Sequence, residues 1–140
     1  MKIIDIQNQI IDEFETMDDW MERYEYMISL GKSLPTMDND FKNDSNLIKG
    51  CQSRVWLHAE LKSDNVLFHA DSDAIITKGI ISILIRIYSG QPPKEILNSS
   101  FDFIDKIGLK EHLSQTRANG LSSMIKQIKM YALAFETKLN

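Results

Sequence analysis

The sequence predicts an α+β domain in which several helices pack against one small antiparallel β-sheet. Apolar residues recur at helical spacing near both ends of the chain and through an isoleucine-rich stretch in the middle. One pair of neighbouring segments, 55–61 and 66–70, alternates with strand period across a polar turn. The length of 140 residues, with 43% hydrophobic and 26% charged residues, suits a single domain spanning 1–140 whose core needs no disulfide or metal staples.

Ile3, Ile6, Ile10, Ile11 and Phe14 share one face of a first amphipathic helix. Thr16-Met17-Asp18-Asp19 breaks the pattern and offers caps for a second helix, marked by Trp20, Met21, Tyr24, Met27 and Ile28. Gly31 suits the left-handed position that closes it, so the two helices form a hairpin. Leu34-Pro35 then opens an irregular stretch, and residues 38–46 are polar and turn-rich. The acids there do not make a calcium loop, since the Asp38-Asn39-Asp40 run lacks glycine at its sixth position and glutamate at its twelfth.

In the first strand Val55, Leu57, Ala59 and Leu61 point one way, and Trp56, His58 and Glu60 point the other. Lys62-Ser63-Asp64-Asn65 turns the chain into the second strand. Asp71-Ser72-Asp73 supplies N-cap residues for the next helix, with Asp73 expected to cap it. Ile75, Ile76, Gly79, Ile80, Ile83, Leu84 and Ile87 keep helical spacing, and length decides for helix over strand. Apolar nearly all round, this helix is expected to be the central and most buried one, ending at Gly90-Gln91-Pro92-Pro93. Short helical pieces follow near 94–97 and 101–107, and Gly108 separates them from 109–114. The last helix carries Leu121, Met124, Ile125, Ile128, Tyr131, Ala132 and Phe135, with Asn119-Gly120 as a turn or helix start before it.

Sixteen basic against twenty acidic residues give a net charge of −4, which argues against a general nucleic-acid surface. No apolar leader opens the sequence, so no signal peptide is expected. The most apolar run, 74–88, contains Lys78 and Arg86 and falls short of the ~20 residues that cross a bilayer. Together with a single cysteine, these features predict a cytoplasmic protein with no membrane partner.

Cys51, in Lys49-Gly50-Cys51-Gln52-Ser53-Arg54-Val55-Trp56, is that cysteine. It cannot form an internal disulfide or supply a four-cysteine metal site, which leaves inert packing or thiol chemistry. Its place at a loop–strand junction favours chemistry. Gly50 permits backbone turns closed to other residues, and Lys49 and Arg54 are cations expected to favour the thiolate. His58, His69 and His112 raise a cysteine–histidine nucleophile, but neither peptidase signature surrounds Cys51. A mixed Cys, His and Asp metal site would draw on Asp71 and Asp73, yet no spacing matches a zinc or iron motif, and no metal is expected. Arg117 is either a solvated arginine or an anion-recognising one.

These motifs resemble the SufE family of sulfur acceptors. The resemblance rests on Gly50-Cys51-Gln52-Ser53-Arg54-Val55-Trp56, on Asp71-Ser72-Asp73-Ala74 running into Lys78-Gly79, on 88–96, and on Leu113-Ser114-Gln115-Thr116-Arg117-Ala118-Asn119-Gly120-Leu121. Leu34-Pro35 also fits, so the likeness runs in order over 34–128. One departure is Gln115, where many members carry proline. The resemblance implies a fold shared with the NifU-like scaffold proteins of iron–sulfur assembly and a cysteine at a loop tip, sheltered when idle. It implies that Cys51 receives persulfide sulfur from a pyridoxal-phosphate-dependent cysteine desulfurase, SufS-like or a paralogue. The protein would stimulate that enzyme and pass the sulfur to a downstream iron–sulfur scaffold. It would hold no cofactor of its own, the pyridoxal phosphate belonging to the desulfurase. Lys49, Gly50, Gln52, Arg54, Asp73 and Arg117 would support the thiol or dock the partner.

Overall fold

The structure, a computed structural model, describes residues 1–139. It is an α+β fold with one two-stranded antiparallel sheet and helices on one side of it. Helix α1 (Ile3–Glu15) and α2 (Trp20–Lys32) form the expected hairpin, and the Asp19 carboxylate accepts from the Glu22 N–H at 2.9 Å to start α2. Strands β1 (Val55–Lys62) and β2 (Asn65–Ser72) pair in the register Val55 to Ser72 through Lys62 to Asn65. Ser63 and Asp64 take positive φ (52° and 66°) between them, as a two-residue hairpin turn of the twist-matching type requires.

Alternation then decides which face is buried. Val55, Leu57 and Ala59 meet Val66, Phe68 and Ala70 on the inner face. That face packs against α3 (Ile75–Tyr88), and the Tyr131 hydroxyl of α7 (Gln115–Leu139) ties that helix to the Leu57 carbonyl at 3.3 Å. The outer face carries Trp56, His58 and His69, partly covered by the two 3₁₀ turns at Asn39–Phe41 and Asp44–Asn46. Phe41 stacks on His58 with ring centres 3.9 Å apart. Three short helices, α4 (Pro93–Asn98), α5 (Phe103–Lys106) and α6 (Leu109–His112), connect α3 to α7.

Helix α3 is the central one, as its all-round apolar sequence predicts. Ile80, Ile81, Ile83, Leu84, Ile87 and Tyr88 are all buried. Three of its polar side chains, Ser82, Arg86 and Tyr88, are tied to α1 and α2. Arg86 grips the Glu13 carboxylate of α1 through both terminal nitrogens, and the Tyr26 hydroxyl of α2 donates to the same carboxylate. The guanidinium holds Glu13 below the usual carboxylate range. Gln7 donates to the Tyr88 hydroxyl, whose burial pushes its pKa up to about 12.

Two glycines behave differently from their sequence context. Gly31 does not close α2 in a left-handed conformation; the helix runs on to Lys32, and Gly31 is buried where α2 crosses α3. A Cβ on it would sit 2.9 Å from the Gly79 nitrogen, so it is small for packing and not for turning. Asn119-Gly120 likewise starts nothing. The Ser114 hydroxyl accepts from the Arg117 N–H at 3.2 Å, which begins α7 at Gln115 and places both residues in its second turn.

Candidate functional site

Cys51 sits at the tip of a loop whose base is clamped. Ile48 donates to the Val55 carbonyl at 2.8 Å and Leu47 bridges Trp56, so residues 49–54 bulge out between two paired segments. At the far end Arg54 donates its N–H to the Asp73 carboxylate at 3.0 Å, and its carbonyl accepts from the Asp73 N–H and the Ser72 hydroxyl. Asp73 therefore does not cap α3. Its carboxylate is committed to the loop base, and the Ala74 N–H is instead met by Ser72 Oγ at 3.2 Å. Gly50, at φ +93°, turns the chain into the tip.

The thiol is half-buried and points inward, donating to the Gly120 carbonyl at 3.6 Å. Gly120 comes so close that a Cβ there would meet the sulfur at 3.4 Å. Beneath the thiol lies a cavity of about 320 Å³ between the first turns of α3 and α7. Ile80 and Met124 supply its apolar floor, and Thr77, Ser114, Thr116 and Arg117 its polar lining, with Gln52 and Ser53 at the loop side. Burial pushes the Cys51 thiol up from its ordinary value. The thiol form therefore dominates at neutral pH, and the loop holds an idle nucleophile.

Of the residues singled out by sequence, the fold brings Cys51, Gln52 and Arg117 to one cavity, with Gly50 beside it. The two cations expected to favour the thiolate are elsewhere. Lys49 is exposed and lines a neighbouring groove with Ser123, Lys126 and Met130, and Arg54 is exposed at the loop base. Sequence neighbours of a loop tip diverge in space, and the arginine that lines the cavity is Arg117, far along the chain. The histidines do not pair with the thiol: His58 and His69 lie on the outer sheet face, and His112 stacks on Trp20. Asp71 is taken by the ammonium groups of Lys42 and Lys78, at 2.7 and 3.3 Å. Among the described residues no three His, Cys, Asp or Glu side chains gather as a metal site would require, and no helix is long and apolar enough to cross a membrane. Sequence reasoning missed Thr77, Ser114 and Thr116; the available signal for Thr77 was one hydroxyl in an otherwise isoleucine-rich helix start.

The raised thiol pKa makes stability pH-dependent with a definite sign. Below the ordinary thiol range of about 8.5 both folded and unfolded chains keep the Cys51 proton. As pH rises further the unfolded chain loses it first, so stability falls until the folded pKa is passed. We expect the urea midpoint of the parent to drop more steeply above that range than that of Cys51→Ser. The buried tyrosines titrate in both proteins, so the difference isolates Cys51. Parallel curves would mean that the thiol is no harder to ionise folded than unfolded.

Known proteins share both this fold and this stretch of sequence. Residues 8–132 match the family described as SufE: Fe-S metabolism associated domain. An uncharacterized SufE-like protein of Rhizobium meliloti (strain 1021) is 45% identical over 130 residues, covering 89% of this chain and 93% of the relative. SufE-like protein 1, chloroplastic/mitochondrial, of Arabidopsis thaliana is 37% identical over 131 residues, 93% of this chain and 35% of that longer protein. The solution structure of a hypothetical protein from Thermus thermophilus superposes with a TM-score of 0.78 over 94% of this chain and 96% of that one, at 17% identity. That likeness bears on the fold.

Proposed function

The chain belongs to the SufE family, an Fe–S metabolism associated domain, and on that premise we propose that Cys51 is the thiol of a sulfur acceptor. Its thiolate attacks the terminal sulfur of a persulfide carried by a cysteine desulfurase. The new S–S bond forms at Cys51, the donor's S–S bond breaks, and the desulfurase cysteine leaves as thiolate. Electrons balance without any outside oxidant or reductant. Clearing its persulfide frees the desulfurase for another turnover, which is how an acceptor stimulates it. Cys51 then hands the sulfur to an iron–sulfur scaffold. The protein acts as a carrier and activator, while pyridoxal phosphate does its chemistry on the desulfurase.

The observation that carries this reading is the lone cysteine at the tip of a clamped loop, turned inward over its own cavity. A thiol that docks into a partner's active site must sit on a protruding element, and a persulfide that has to survive transit needs shelter. Both conditions meet at residues 49–54. Opening the loop would remove the burial that raises the pKa, so the thiolate forms more readily when the tip leaves its cavity. Arg117, exposed and lining the cavity, would meet a partner carboxylate or the incoming anionic sulfur. A cytoplasmic setting, reducing enough to keep a single cysteine as thiol, suits the same reading.

Intact mass before and after incubation with a cysteine desulfurase and free cysteine tests the proposal. A reductant-reversible gain of one sulfur atom (~32 Da) on the parent, absent from Cys51→Ser, is expected from persulfide exchange. No gain with several active desulfurases would leave Cys51 a packing residue and this domain a binding module.

A further inference from the structure

Of the polar side chains around the Cys51 cavity, those of Gln52, Ser114, Thr116 and Arg117 are exposed and Ser53 is half-buried. Thr77 alone among them is buried, with 7% of its surface exposed. Its hydroxyl takes part in no hydrogen bond with any described residue. The hydroxyl oxygen is not sealed in the core as Trp20 Nε1 and Arg23 Nε are, so it opens onto the cavity that Thr77 lines. The neighbouring floor is Ile80 and Met124, so no other side-chain donor lies at that depth.

Resting on the sulfur-acceptor reading, we propose that Thr77 is the hydrogen-bond donor that holds the terminal sulfur of a Cys51 persulfide inside the cavity. The terminal sulfur is the atom that carries the negative charge, and an anion in an apolar floor is costly without a donor. Thr77 supplies one from the most buried polar position in the cavity lining. Its place in the first turn of α3, with the first turn of α7 across the cavity, adds the positive ends of two helix dipoles to the same volume. The hydrogen bond favours the anionic persulfide over the neutral one. A thiolate reductant attacks the neutral form more readily than an anion of its own sign, so the cargo survives longer. Thr77 therefore positions and protects the cargo, and takes no part in the bond exchange itself.

The experiment loads Cys51 with desulfurase and cysteine, removes both, and follows the added sulfur by intact mass in dithiothreitol across a pH series. Thr77→Val keeps the branched shape and removes the hydroxyl; Thr77→Ser keeps the hydroxyl. The valine variant, once loaded, is expected to lose sulfur roughly tenfold faster at neutral pH, the factor that one charge-assisted hydrogen bond supplies. Its pH profile should move to higher pH, because more of its persulfide stays neutral, and the serine variant should track the parent. A valine variant with the parent's rate and profile overturns the role of Thr77 and leaves the acceptor reading standing. A parent that takes up no sulfur overturns both.

Discussion

Gly79→Ala should destabilise the folded chain by about 3 kcal/mol, at the upper end of what overpacking a core costs. Helix propensity alone predicts the reverse, since alanine is favoured over glycine inside a helix by roughly 1 kcal/mol. Packing outweighs it. A Cβ at Gly79 would lie 2.3 Å from the Met27 carbonyl oxygen and 2.8 Å from the carbonyl carbon. Both atoms are backbone, and no rotamer change removes them. Helices α2 and α3 would have to part, although Gly31 opposite Gly79 and the Ser82 hydroxyl bonded to the Leu30 carbonyl at 3.0 Å hold them together. Separation opens space beside Met27 and Ile80, both fully buried, and close-packed interiors do not absorb such gaps freely. With a urea slope of ~2 kcal/mol/M, the unfolding midpoint falls by roughly 1.5 M. A midpoint unchanged from the parent would show that the two helices can separate at little cost. Since Thr77 and Ile80 flank Gly79 on α3 and line the Cys51 cavity, the same substitution should also disturb the shelter of the thiol.

The elements were legible because each depends on a local period. Ile3 to Phe14 repeat at 3.6 residues and Val55 to Leu61 at two, and the fold keeps both patterns. What sequence did not give was the use of residues whose role is fixed by distant partners. Gly31 has the composition of a helix stop, yet it is small because Gly79, on another helix, needs the room. Asp73 has the position of a cap, yet the Arg54 N–H across the hairpin takes its carboxylate. The same holds at the site. Cys51 stood out by being alone, and Gly50 by standing next to it. Lys49 and Arg54 were judged by adjacency, which a bulging loop undoes, whereas Thr77 and Arg117 reach the cavity from two helix starts that only the tertiary fold brings together.

Gly50→Ala should free the Cys51 loop. Two separate costs act at that residue. An L-residue held at φ +93° pays roughly 1–2 kcal/mol for the left-handed region. A Cβ there would also sit 2.5 Å from the Ser123 hydroxyl, a contact that the Ser123 side chain relieves only by turning away from the Asn119 carbonyl to which it donates at 3.1 Å. Both costs vanish when the loop swings out, because Gly50 then leaves Ser123 and its φ relaxes. The open state thus gains about 2 kcal/mol relative to the closed one, on the order of thirtyfold in population. Cys51 is reactive in the open state, so alkylation by iodoacetamide at neutral pH should accelerate by about that factor while the far-UV spectrum stays native. Adding Ser123→Ala separates the two costs. It removes the 2.5 Å contact and leaves a Cβ-to-Cβ approach of 3.5 Å, so the double variant should retain the strain alone and lose part of the acceleration. Should Gly50→Ala alkylate at the parent's rate, the closed loop would not be what keeps Cys51 quiet. The shelter would then lie in the cavity walls from α3 and α7, which remain in place when the tip moves.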